Sequence, residues 1–104
     1  MLNPYAFESG RLVCTTGIME AMQGSIAFSH FVSQSVQLYL NADWGSTCPE
    51  GWEANDAAIR NGGRILAVYT SEELSQTIWI ITEANRQCTT ILLPNEYKEA
   101  FANE

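Results

Sequence analysis

From Arg64 to Pro94 the chain alternates between apolar, β-branched runs and short polar connectors. The runs "RILAVYT", "QTIWIITE" and "CTTILLP" are joined by "SEELS" and "EANRQ". β-Branched and aromatic residues fit a pleated, half-buried surface. Connectors this short fit antiparallel hairpins, because a parallel crossover needs about a dozen residues or more. The pattern predicts a three-stranded antiparallel meander. In its middle strand Ile78, Ile80 and Thr82 share one face, and Trp79, Ile81 and Glu83 share the other. Both faces are largely apolar, so either helices wrap both or the second face meets a partner.

The first half has a helical period. "RLVCTT" follows a Ser-Gly breaker and reads as a short strand that joins the meander at an edge. "TGIMEAMQG" reads as a short helix with Thr16 as N-cap. Ile18, Met19 and Met22 form its apolar face, and Gly24 stops it. Ser25 can cap the next helix, "IAFSHFVSQSVQLYL". There Phe28, Phe31, Val32, Ser35, Val36, Tyr39 and Leu40 recur every three to four residues, and Asn41 closes it. Pro49 fits the first position of a third helix after a Thr47 or Cys48 cap. Trp52, Asn55 or Asp56, and Ile59 share a face of that helix, and Gly62-Gly63 ends it. Pro94 ends the last strand, and "NEYKEAFANE" reads as a short C-terminal helix. The fold class is α+β, a small antiparallel sheet packed with three to four helices. At 104 residues, 1–104 form a single domain.

Charge narrows the partners. Twelve acids against five bases give a net charge of -7. That argues against direct nucleic-acid binding and against anionic membrane, and it fits a basic protein partner. No run of apolar residues is long enough to span a membrane. "MLNPYAFESGR" does not read as a secretory signal. Three widely spaced cysteines fit a reducing, cytoplasmic setting. Cys14 and Cys88 read as buried thiols and Cys48 as exposed.

Catalytic signatures are weak. His30, the only histidine, has no acid three or four residues away and reads as a helix-surface residue. Neither zinc spacing nor a phosphate loop occurs, so no catalytic residue, metal or cofactor is assigned. "NGGR" ends a helix, the reverse of a phosphate cradle. In "DWG", Asp43 can close an Asx-turn while Trp44 covers the core. The functional alternative makes Trp44 and Trp52 an exposed aromatic anchor. Glu83 and Arg86 flank a tight turn and can pair across it, with Asn85 accepting φ > 0.

The ordered motifs "F-x-x-G-R-L-V-x-T-x-G", "DWG", "N-D-A-A-I-R-N-G-G-R-I-L-A-V-Y", "IWIITEANR" and "TTILLPNEY" run from about Phe7 to Tyr97. The chain thereby resembles a family of small bacterial proteins carried on plasmids and prophages. Here "SHFVSQSVQLYLNA" lengthens the approach to "DWG", and Ala42 stands where the family commonly has Gly. The resemblance implies a cytoplasmic protein of mobile elements, and small acidic proteins of that setting often inhibit host defence.

The lead expectation is therefore a non-enzymatic acidic binding protein, a stoichiometric inhibitor of the anti-CRISPR or anti-restriction type. Its partner would be the basic nucleic-acid-binding surface of a defence complex. Asp43, Trp44, Glu50, Trp52, Glu53, Asp56, Glu72, Glu73, Glu83 and Arg86 are the partner-binding candidates. The alternative is a small enzyme or ligand-binding domain using Asp43, Arg64, Glu83 and Arg86. A third reading is a homodimer joined through a sheet face.

Overall fold

β2 (Ile65–Ser71), β3 (Gln76–Thr82) and β4 (Cys88–Leu92) form the expected antiparallel meander in the computed structural model, which describes residues 5–101. β1 (Arg11–Cys14) joins at the β4 edge, giving the order β1-β4-β3-β2. β1 runs parallel to β4, so the sheet is mixed and not wholly antiparallel. The three helices between β1 and β2 supply the long crossover that a parallel edge requires.

α1 (Thr16–Gly24) and α2 (Ile26–Leu40) meet at Ser25, which closes one helix and opens the other. The Ser25 N–H donates to the Met22 carbonyl, and its Oγ accepts from the Phe28 N–H at 3.1 Å. The α1 cap is Thr15 and not Thr16, and Gly24 is the last helical residue. The expected α2 face is confirmed: Phe28, Val32, Ser35, Tyr39 and Leu40 are buried. They pack on Ile65, Ala67, Tyr69, Ile78, Ile80 and Ile91, which share one sheet face. Cys14 and Cys88 are half-buried rather than buried.

α3 (Pro49–Asn61) begins with Pro49 behind a Cys48 cap and ends at Gly62, whose φ is +82°. It lies along the outer edge of β2 and runs against it. Asn55 Nδ2 donates to the Leu66 carbonyl at 2.9 Å, and Asn55 Oδ1 accepts from the Leu66 N–H at 3.2 Å. The loop before α3 continues the cover. Thr47 Oγ1 accepts from the Val68 N–H, the Ser46 N–H donates to the Val68 carbonyl, and Ser46 Oγ accepts from the Thr70 N–H. An edge strand left open invites pairing with another chain, and here side chains and a loop fill it.

The second sheet face is covered in part, without a long helix. A 3-10 turn (Pro94–Glu96) leads into α4 (Tyr97–Ala100). Tyr97 meets Trp79 edge to face, with ring centroids 5.6 Å apart. Ile81 and Leu92 are fully buried, while Leu66, Val68 and Trp79 are half-buried. The last three residues of the expected C-terminal helix lie outside the described residues. Glu96 ties this segment to the other end of the chain. It accepts from Thr15 Oγ1 at 2.5 Å, the Gly17 N–H at 2.9 Å and the Leu93 N–H at 2.9 Å.

Candidate functional site

Three of the four residues of the alternative site, Arg64, Glu83 and Arg86, converge and bond within the fold. Arg64 Nε lies 3.4 Å from Glu83 Oε2. Arg64 Nη1 donates to the Tyr97 hydroxyl at 3.0 Å, and its guanidinium lies over the Tyr97 and Phe101 rings at 5.6 and 4.9 Å. Such stacking over aromatic faces holds the C-terminal turn against the sheet. Arg86 does not pair with the Glu83 carboxylate. It donates to three backbone carbonyls: Gly63 at 2.6 Å, Ala58 at 2.9 Å and Glu83 at 3.2 Å. Two of these lie around the end of α3: the Ala58 carbonyl also accepts the Gly62 N–H of the helix cap, and Gly63 follows that cap. Arg86 itself, and not Asn85, takes the left-handed conformation, with φ +60°.

Asp43 is elsewhere. Its carbonyl accepts from the Tyr69 hydroxyl at 2.7 Å, near the far end of β2. That is five residues from Arg64, about 17 Å along a strand. The Asp43 carboxylate closes the expected Asx-turn on the Gly45 N–H at 3.0 Å. Gly45 has φ +59°, and a Cβ there would sit 2.4 Å from the Tyr69 ring. Only glycine fits that approach.

The exposed-anchor reading fails for Trp44. The side chain is fully buried between Phe7 and Tyr39. Its Nε1 donates to Asp56 Oδ1 at 2.9 Å. Asp56 is thereby committed to a tryptophan, and Trp52 is half-buried against the core. Glu50, Glu53, Glu72 and Glu73 are exposed.

Local sequence did not reveal how the charge is distributed. Between Arg11 and Arg60, and again between Arg64 and Arg86, there is no lysine or arginine. Arg11, Arg64 and Arg86 stand at the starts of β1, β2 and β4, which the sheet register places at one end. Arg60 joins them from the last turn of α3. The opposite end carries Glu72 and Glu73 in the β2–β3 hairpin. Glu50, in the first turn of α3, follows Thr47, which bonds Val68 at the middle of β2. Four arginines therefore gather at one end of the sheet, one of them paired with Glu83, and the exposed Glu72 and Glu73 stand at the other.

Titration shifts mark no nucleophile. Burial raises the Tyr39 and Tyr69 hydroxyls above their ordinary range and raises the Cys14 thiol. Glu96 goes the other way. Partial burial opposes its ionisation, but the bonds from Thr15, Leu93 and Gly17 outweigh it and hold the carboxyl below its usual value. Among the described residues no three His, Cys, Asp or Glu side chains gather to hold a metal ion, and no helix is long and apolar enough to cross a membrane. No family model, curated protein or solved structure matches the chain.

Proposed function

We propose that this is a non-enzymatic acidic binding protein of a phage or plasmid, a stoichiometric inhibitor of a host defence system of the anti-CRISPR or anti-restriction type. The observation that carries the reading is the hairpin end, with Glu72 and Glu73 exposed and no lysine or arginine near them in sequence. A surface of one sign steers an oppositely charged partner and excludes like-charged ones. The basic nucleic-acid-binding face of a defence complex has the complementary sign. The resemblance to plasmid and prophage proteins supplies the setting.

The test is capture from a bacterial lysate that contains a nucleic-acid-targeting defence complex, with the protein immobilised at low salt. The expected result is retention of a nucleic-acid-binding subunit and its release as salt rises, since exposed charges are screened within about 8–10 Å at physiological ionic strength. Equimolar protein should then block target cleavage by the purified complex. Retention of no such subunit, or cleavage that continues with the protein in excess, would sink the reading.

A further inference from the structure

α2 and the β2–β3 hairpin do not close on each other. Three cavities of about 170, 240 and 290 Å³ lie end to end between them and share Leu74, Phe31, Gln34 and Ser71. Each is smaller than the roughly 300–1,000 Å³ of a typical small-ligand pocket. Together they form a groove along one stripe of α2, where Ala27, Phe31, Gln34 and Leu38 recur at helical spacing. From Ser25 to Leu38 the groove is about 20 Å long at 1.5 Å per residue.

We propose that this groove docks a basic amphipathic helix of a partner protein. Three observations select that occupant. The groove sets apolar side chains at intervals, Phe28, Phe31, Leu38 and Leu74, among polar ones such as Gln34 and Ser71, and Leu38 is 42% exposed. Its hairpin rim is acidic: Glu73 lines it and Glu72 flanks it, His30 faces it from α2, and no lysine or arginine is among the lining residues. The outer edge of β2 is already bonded to Asn55, Thr47 and Ser46, so an added strand finds no free backbone there. A helix laid in the groove needs no backbone partner. It can present apolar residues at i, i+4 and i+7 to α2 and cations to the rim. This deepens the acidic-binding reading and rests on it for the sign of the partner's charge.

The probe is a labelled synthetic peptide of about fourteen residues, matching the groove length. It carries leucines on one helical face and lysines on the flanks, and binding is followed by fluorescence polarisation. The expected result is saturable binding that weakens at least tenfold with Leu38→Glu and with the Glu72→Lys/Glu73→Lys pair. These are surface positions, and unchanged thermal midpoints would show that the variants fold. A peptide with glutamates replacing the lysines should not bind. Equal binding of both peptides, or full binding to Leu38→Glu, overturns the proposal. So does self-association that Leu38→Glu abolishes, which would assign the groove to a second copy of the chain. If the peptide fails while the defence subunit is still captured from lysate, the groove assignment falls and the acidic-inhibitor reading stands. If the peptide binds and no such subunit is captured, the groove assignment stands and the inhibitor reading falls.

Discussion

The hydroxyls of Thr82 and Thr89 meet 2.6 Å apart in the core, at one of the paired positions of β3 and β4. Tyr39 adds its hydroxyl at 2.6 Å from Thr82, and Thr89 donates onward to the Ser9 carbonyl at 2.6 Å. A carbonyl only accepts, which fixes the direction of the whole chain: Tyr39 donates to Thr82, Thr82 to Thr89, and Thr89 to Ser9. The direction ranks the mutations. Tyr39→Phe removes the terminal donor and strands no proton, so it should cost about 0.5–1.5 kcal/mol. Thr82→Val strands the Tyr39 donor in the core and should cost about 1–3 kcal/mol. Chemical denaturation of the two variants measures the order, and a larger loss from Tyr39→Phe would show the chain runs the other way.

Glu96 makes the fold acid-sensitive at one identifiable contact. Its carboxyl ionises below its ordinary value in the fold, so its stabilising contribution is full above about pH 4.5 and fades as pH falls through the folded value. Glu96→Gln removes the charge and part of the acceptor set. The stability gap between the native protein and this variant should be widest near neutrality and should narrow below about pH 4.5. A gap that stays constant down to about pH 3 would mean that the three hydrogen bonds do not depend on ionisation.

Asn55 is the single side chain that satisfies both backbone groups of Leu66. Asn55→Asp can still accept from the N–H but cannot donate to the carbonyl, and it places a charge against that oxygen. It should destabilise at least as much as Asn55→Ala, by about 1–3 kcal/mol. Hydrogen exchange at the Leu66 amide should quicken in both. Retained protection in the Asp variant would show that the edge is held by the loop and not by the amide.

Ala42 adopts φ +62° just after α2. A β-carbon in that region costs about 1–2 kcal/mol, partly offset by the chain entropy that glycine adds to the unfolded state. Ala42→Gly should therefore stabilise the protein by about 0.5–1 kcal/mol. A lowered thermal midpoint would contradict the left-handed assignment.

Trp79 is only half-buried, so Trp79→Ala should cost less than the roughly 3–5 kcal/mol of a core tryptophan, about 2 kcal/mol. Its loss should also loosen the Tyr97 contact, seen as faster proteolysis after Pro94. An unchanged midpoint together with self-association lost would instead make Trp79 an interface residue.

Local features are legible in the sequence. The Ser25 cap, an α3 cap at Thr47 or Cys48, the Gly62-Gly63 stop, the α2 face and the meander each depend on residues close in sequence, where periodicity and capping chemistry act. The misreadings share a different cause. Glu83 finds Arg64 across a strand pair and not Arg86 across a turn, because Arg86 turns toward the backbone carbonyls of Ala58 and Gly63 around the end of α3. Trp44 covers the core, as the Asx-turn reading of "DWG" has it, and only the exposed-anchor alternative falls, with Phe7, far away in sequence, packed against the ring. Asp43 and Arg64 stand at opposite ends of β2, a separation that only sheet register reveals. The segregation of charge was likewise invisible locally, since it depends on which strands start at the same end.

The unequal edges of the sheet set a limit on growth. β2 is bonded along its outer side, whereas β1, four residues long, forms the opposite edge with no further strand beside it among the described residues. A fibril built by strand addition needs every subunit to offer two mating sides. This molecule offers one short side, so two copies joined at β1 would leave only sealed flanks outward, and the chain of additions would terminate there.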